Sequence, residues 1–154
     1  MISHSTSSAL LVLAATLAPR TGYNATLVPG IRILRSETIL ENVPVLYRPG
    51  AVFVLQGAKQ GFLNSEVHRY DADHYLAVSV PVPFRMASQA SSEQPLLAIY
   101  FDFDLHLAAE IVTALEGQVA HDEKVRAKSL VSSRMTSSIV DVLQRLLHAL
   151  HHPQ

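Results

Sequence analysis

Hydrophobic residues recur at helical spacing near the start of the chain. The positions that share one helical face are Leu10, Leu13, Ala14 and Leu17. Ser7 or Ser8 can cap such a helix, and Pro19 follows its end. The apolar run 9–18 is also as long as the core of a signal peptide, but residues 1–8 carry no Lys or Arg. The spacing therefore favours an amphipathic helix.

From residue 25 onward the period shortens to that of β-strands. Short apolar runs alternate with Gly, Asn, Asp and Pro, a pattern typical of antiparallel all-β modules. Strands are predicted over 30–35, 45–47, 51–56, 66–70, 75–80 and 96–103. The stretch 37–43 fits no clear pattern, and 88–94 is predicted to be a polar loop.

Turns are predicted where small or polar residues interrupt the strands. Gly57 and Gly61 bracket a bend or bulge, and Asn64-Ser65 forms a two-residue hairpin turn because Asn tolerates positive φ. A second turn is predicted at 71–73.

The period becomes helical again after the last strand. Asp104 is a good helix cap, Leu107, Ile111 and Leu115 line one face, and Gly117 ends the helix. Residues 118–128 are predicted to be a loop. A final helix over 136–150 repeats apolar residues in a four-three-four pattern, at Ile139, Leu143, Leu146 and Leu150. This stripe either packs on the sheet or forms a dimer interface.

These elements predict one mainly β domain, a barrel or jelly-roll, with helices at both ends. Its parts are an N-terminal helix and lead-in over 1–22, the barrel over 23–104, and C-terminal helices of the same domain over 105–154. A chain of 154 residues can bury a substantial core in one domain.

Charge and cysteine content exclude several functions. The formal net charge is −1 and no Lys/Arg cluster is present, so the domain lacks the basic face of a DNA-binding surface. The absence of cysteine excludes disulfides, thiol nucleophiles and thiolate metal sites. No apolar run is long enough to span a bilayer.

Two sets of residues are candidates for a site. Glu66 and His68 face the same side of a strand and, with His74, could hold a divalent metal, but the spacing lacks a His-x-His pair and favours solvated residues of an exposed hairpin. The second set comprises Tyr47, Gln56, Tyr70, His74, Tyr75 and Tyr100. Its Tyr and His residues pair apolar bodies with polar tips, which suits either a mostly apolar ligand pocket or a core in which the polar atoms bond to the backbone. Neither a nucleophile elbow nor a phosphate-binding loop is present.

The central stretch resembles the N-terminal domain of AraC-type transcriptional regulators. The matching pieces are Tyr47-x-Pro49, Val54-Leu55-Gln56-Gly57-x-Lys59, Tyr70-Asp71-Ala72-x-His74-Tyr75, Val78-Ser79-Val80-Pro81, and Pro95-Leu96-Leu97 leading into Asp102-Phe103-Asp104. The chain departs from the family in having Asp73 at a position commonly occupied by Gly, and Asn64-Ser65 in a turn that usually contains Gly.

The resemblance implies a cupin-like β-barrel in a bacterial, cytoplasmic regulator. It would bind a small effector without a cofactor, form a homodimer, and signal to a C-terminal helix-turn-helix domain that is absent from this chain and contacts the DNA. A non-enzymatic sensor is therefore the leading hypothesis. The alternatives are a cupin-type metal-dependent enzyme using Glu66, His68 and His74, and a dimerisation module without a ligand.

Overall fold

The structure, a computed structural model, describes residues 4–104, 106 and 130–151. Two helices and ten strands occupy these described residues. The helices are α1 (His4–Leu17) and α2 (Ser137–His151). The strands are β1 (Gly22–Ala25), β2 (Ile31–Ser36), β3 (Leu40–Tyr47), β4 (Gly50–Gln56), β5 (Ala58–Leu63), β6 (Glu66–Asp71), β7 (His74–Val78), β8 (Val82–Gln89), β9 (Leu96–Asp102) and β10 (Leu130–Arg134).

The strands form one antiparallel sheet that curls into a half-barrel. Their order is β1-β2-β9-β4-β7-β6-β5-β8-β3, and β10 pairs with β7 outside this path. The sheet bends between β6 and β7, where the only paired residues are Asp71 and His74. The predicted mainly β fold with terminal helices is confirmed.

Each face of the sheet packs against its own core. The concave face encloses a cluster that includes Val52, Val54, Tyr70, Leu76, Val78, Phe84, Leu96, Ala98 and Tyr100. The convex face is covered by the two helices through Leu10, Ala14, Ile33, Leu97, Ile99, Val140, Leu143, Leu147 and Leu150. Alternation along β9 explains the division, since successive side chains of a strand point to opposite faces.

Helix α1 follows the predicted spacing, whereas α2 does so only in part: its buried residues are Val140, Leu143, Leu147 and Leu150, and Ile139 and Leu146 of the predicted stripe are only partly buried. In α1, Leu10 and Ala14 are buried while Leu13 and Leu17 are partly buried. The helix already begins at His4, so the predicted caps at Ser7 or Ser8 are wrong. Among the described residues, no helix is long and apolar enough to cross a membrane.

Several observed strands are absent from the prediction made from the sequence, or are longer than predicted. Strand β1 lies before the first predicted strand, β3 covers most of the unassigned stretch 37–43, and β8 replaces part of the predicted loop. Strand β10 was also missed. These elements have weak alternation or contain proline, so their pairing depends on strands distant in sequence.

The predicted turns are found where small or polar residues stand. Asn64 and Ser65 have φ values of 50° and 67° and join β5 to β6 as a two-residue hairpin. Gly57 has a φ of 85° and follows a register shift between Val54 and Gln56, as expected of the bend there. Residues 58–60, however, belong to β5.

The C-terminal predictions are only partly covered by the described residues. The Asp104 carboxylate accepts a hydrogen bond from the backbone N–H of His106 at 2.9 Å, as a helix cap would. The predicted helix face of Leu107, Ile111 and Leu115 lies outside the described residues, as do Gly117 and the predicted loop 118–128.

Candidate functional site

Four polar side chains from four strands meet inside the half-barrel. Tyr47 comes from β3, Lys59 from β5, Tyr70 from β6 and Tyr100 from β9. The Tyr47 hydroxyl lies 3.0 Å from that of Tyr70 and 3.3 Å from that of Tyr100. The Lys59 Nζ donates to Tyr100 Oη at 2.8 Å and to Tyr47 Oη at 3.3 Å. We refer to these four residues as the interior cluster.

Lys59 is buried with only 4% of its surface exposed, in an otherwise apolar interior. Burial penalises the charged ammonium and lowers the pKa of Lys59 from 10.5 to about 8. Within the described part of the chain, no carboxylate lies within ion-pair distance of its Nζ. The ammonium is therefore solvated by phenol oxygens rather than balanced by an anion.

The three tyrosines of the interior cluster stay neutral at physiological pH. Burial raises the pKa of Tyr47, although its hydrogen bonds with Tyr100 and Tyr70 partly offset this effect. Burial likewise raises the pKa of Tyr70 and Tyr100 well above 10.0. None of the three can serve as a phenolate partner for Lys59 near neutral pH.

A cavity of about 270 Å³ opens beside the interior cluster. Its lining residues are Tyr23, Arg32, Leu46, Tyr47, Arg48, Gly50, Ala51, Val52, Val78, Tyr100, Phe101 and Asp102. We call it the mouth cavity. Its walls include apolar side chains. Its polar groups are Tyr47 and Tyr100, which also belong to the interior cluster, and a set of charged side chains at the rim.

The charged rim of the mouth cavity contains two arginines and one aspartate. The Arg32 guanidinium lies over the Tyr23 ring at 4.5 Å and over the Tyr100 ring at 5.5 Å. The two oxygens of Asp102 contact Arg32 and Arg48, each at 3.5 Å. The Nε atom of Arg32 is buried and has no hydrogen-bond partner among the described residues. The rim therefore has an excess of positive charge.

A second cavity, of about 240 Å³, reaches Lys59 from another side. It is lined by Ile39, Leu40, Glu41, Ala58, Lys59, Gln60, Arg69, Ala87, Ser88 and Gln89. Lys59 thus borders this cavity directly and borders the mouth cavity through the hydroxyls of Tyr47 and Tyr100.

The structure brings together three of the six residues selected from the sequence as pocket residues: Tyr47, Tyr70 and Tyr100. The other three lie elsewhere. Gln56 donates to the Pro95 carbonyl at 2.7 Å, and Tyr75 stacks on Phe53 on the convex side of the sheet.

His74, the last of the six, belongs to the β6–β7 turn. Its Nδ1 lies 3.2 Å from Asp71 Oδ1, which also accepts the backbone N–H groups of Asp73 and His74. Burial raises the pKa of Asp71, but hydrogen bonds from Arg69, the Asp73 backbone and His74 outweigh it, so the net pKa is lowered. These contacts stabilise the turn.

The alternative metal ligands are separated. His68 Nε2 lies 3.4 Å from Glu66 Oε2, while His74 faces Asp71 instead. In the ranges that the structure describes, no group of three or more His, Cys, Asp or Glu is placed to hold a metal ion.

The stripe selected as a dimer interface contributes to the chain's own core. Leu143 and Leu150 are 3% and 6% exposed and belong to the convex-face cluster with α1. Ile139 and Leu146 are partly buried against the same cluster. Leu143 and Leu150 are therefore already covered within one chain.

Sequence reasoning missed Lys59 and Arg32 as site residues. The sequence pattern places Lys59 within a motif and in the bend predicted between Gly57 and Gly61. The alternation of β5 was the available signal, because Lys59 and Gly61 are buried while Gln60 and Phe62 are exposed. Gly61 fits there because a Cβ would lie 3.0 Å from the Phe84 ring.

A curled antiparallel sheet around an interior pocket, flanked by terminal helices, defines the class of cupin-like domains. Within that class, the chain belongs to the family described as AraC-type transcriptional regulator N-terminus, whose model matches residues 27–154. None of the curated proteins matches it in sequence.

Solved structures with the same fold include ToxT from Vibrio cholerae. One ToxT structure is 9% identical, with a TM-score of 0.56, covering 76% of this chain and 46% of ToxT. A ToxT structure with bound unsaturated fatty acid is 10% identical, with a TM-score of 0.53, covering 85% of this chain and 49% of ToxT. The chain spans about half the length of these relatives.

Proposed function

We propose that this domain senses a small effector molecule inside its half-barrel and passes the signal to a DNA-binding domain of the full regulator. The observation that carries the proposal is the mouth cavity of about 270 Å³ next to the buried interior cluster. A ligand there would contact residues of six strands: β1, β2, β3, β4, β7 and β9.

The comparisons support this proposal. The family is that of regulator N-termini, and the ToxT structure with a bound unsaturated fatty acid has the same fold. For a signal to pass, the ligand must bind one conformation more tightly than another. Contacts with several strands at once are a physical means of doing so.

Family membership supports a non-enzymatic role. It also supports a cytoplasmic location, where a transcriptional regulator reaches DNA. We also propose a homodimer and one folding unit made of the helices and the half-barrel.

The proposal predicts that removing a hydroxyl from the pocket weakens ligand binding. Ligands would first be found by native mass spectrometry of the purified domain and by a thermal-shift screen of small organic compounds. For a ligand so found, Tyr100→Phe is expected to lower affinity about tenfold, through loss of one or two hydrogen bonds. Isothermal titration calorimetry measures the change.

Tyr75→Phe provides a matched control, because Tyr75 stacks on Phe53 on the opposite face of the sheet. Its affinity should equal that of the wild type. Equal losses in both variants would place the ligand outside the half-barrel. A domain that binds no compound in either assay would support the ligand-free dimerisation module instead.

A further inference from the structure

The interior cluster carries more hydrogen-bond donors than its own acceptors take up. A protonated lysine brings three N–H groups and three tyrosines bring three O–H groups. The contacts among Tyr47, Lys59, Tyr70 and Tyr100 are four: two between hydroxyls and two from Nζ. At least two hydrogens of the cluster thus have no acceptor among the described residues.

The cluster also carries an unbalanced positive charge. The tyrosines are neutral, and the nearby carboxylates are already engaged. Asp102 contacts Arg32 and Arg48, and Asp71 contacts Arg69 and His74. A buried ammonium without a counter-anion is costly, and a bound anion would reduce that cost.

The mouth cavity is the side from which an anion would approach. Arg32 and Arg48 contribute two positive charges at its rim against the single negative charge of Asp102. The unpartnered Nε of Arg32 adds another donor at this rim. The second cavity has Glu41 among its lining residues, and its Arg69 is already paired with Asp71, so it offers an anion less free positive charge than the mouth cavity.

We propose that the effector is a small monocarboxylic acid whose carboxylate accepts hydrogen bonds from the interior cluster while its apolar body fills the mouth cavity. One negative charge balances the single buried ammonium of Lys59. Val52, Val78 and Leu46 provide apolar walls for the body. This inference rests on the proposed sensing function and names the chemical class of its ligand.

The test compares acids with neutral molecules of the same shape. Benzoate is paired with benzamide and octanoate with octanamide, at pH 7 and equal ionic strength, with affinities measured by calorimetry or by NMR titration. At least one acid is expected to bind ten or more times more tightly than its amide. Lys59→Met should remove this preference, whereas Gln60→Met, an exposed neighbour on β5, should keep it.

The acid preference should also depend on the protonation of Lys59. The groups around its Nζ are Tyr47, Tyr70 and Tyr100, with Arg32 beyond the Tyr100 ring and Glu41 and Arg69 in the second cavity. Because the pKa of Lys59 is about 8 in the free domain, acid affinity should be constant between about pH 6 and 7, where the acid is ionised and Lys59 is protonated, and fall towards tenfold per pH unit above pH 8.

Equal affinities for acid and amide, or a preference that survives Lys59→Met, would overturn the inference. Failure of both acids, with a neutral ligand found by screening, would also overturn it while leaving the sensing function intact. Failure of all compounds would remove the sensing function itself.

Discussion

Lys59 is the residue whose surroundings oppose its charge most strongly. The difference between a pKa of 10.5 and one of about 8 corresponds to about 3 kcal/mol of unfavourable free energy in the folded domain at neutral pH. Two hydrogen bonds to tyrosine hydroxyls, worth about 1 kcal/mol each, offset this only in part. A side chain that lowers stability in this way is typical of a binding site.

Replacing Lys59 with Met should therefore stabilise the ligand-free domain. At pH 7 we expect the free energy of unfolding to rise by about 1 kcal/mol, because the lost hydrogen bonds cancel most of the relieved burial cost. Urea unfolding measures this change. A loss of about 2 kcal/mol or more would instead show that Lys59 is needed to hold the fold.

The pH dependence of this difference has a definite sign. The folded pKa of Lys59 lies below its unfolded value, so the unfolded chain binds more protons between about pH 8 and 10.5. Wild-type stability should therefore rise with pH in that window relative to Lys59→Met. From pH 7 to pH 9, the difference in free energy of unfolding between Lys59→Met and the wild type should decrease by about 1 kcal/mol.

Residue chemistry alone identified only part of the candidate site. Tyr47, Tyr70 and Tyr100 could be selected because a phenol suits an apolar pocket, but Gln56 and Tyr75 have the same general character and lie elsewhere. Which of them meet is decided by strand order, which places β3, β6 and β9 around one interior. Without knowledge of the strand order, the sequence does not distinguish the residues that meet in the interior from those that lie elsewhere.

Some strands are predictable from neighbouring residues alone, whereas others depend on pairing with strands distant in sequence. The β5–β6 hairpin was predictable, because Asn64-Ser65 joins two alternating runs directly. Strand β8 was not predictable, because Pro81 and Pro83 indicate the end of the preceding strand rather than the start of a new one. Pro83 pairs only with Leu46 of β3, beyond the last β5 pair at Phe62, so a missing N–H is tolerated there.

Helix α2 has a buried apolar face and, beside it, a partly exposed apolar edge. Leu143, Leu147 and Leu150 are buried against α1 and the sheet. Val142 is 53% exposed and lies at i+3 from Ile139 and i−4 from Leu146, both of which are partly buried. The proposed dimer contact is therefore better placed on the edge formed by Ile139, Val142 and Leu146 than on the original stripe.

Val142→Asp should weaken self-association without unfolding the domain. A charge at the centre of an apolar contact loses its hydration on association, whereas in the free monomer it stays in water. Sedimentation velocity should show a higher monomer fraction than in the wild type. Urea unfolding should show that the free energy of unfolding of the monomer is unchanged. Gln144→Asp, on the other side of the buried stripe, is the control. An unchanged dimer in Val142→Asp would exclude this edge from the dimer interface. Leu143→Asp is not a suitable test of the interface, because it would disrupt the core of the monomer.

One sheet separates the molecule into two cores. The concave side holds the candidate site, and the convex side is closed by α1 and α2, which contact each other and cover β2 and β9. Leu97 and Ile99 of β9 face the helices, whereas Tyr100 of the same strand belongs to the interior cluster. A ligand that shifts β9 would thus act on the helix packing directly.

The shared sheet predicts that helices and half-barrel unfold as a single unit. Neither helix has a core of its own, because Leu10, Ala14 and Leu147 pack on residues of the sheet and of the other helix. Far-UV circular dichroism follows the helices. Tyrosine fluorescence follows the half-barrel, since the chain has no Trp and three of its five Tyr belong to the interior cluster. The two thermal transitions should coincide. If the helical signal were lost first, the helices would be a separate unit, and a signal could not pass from β9 to them through common packing.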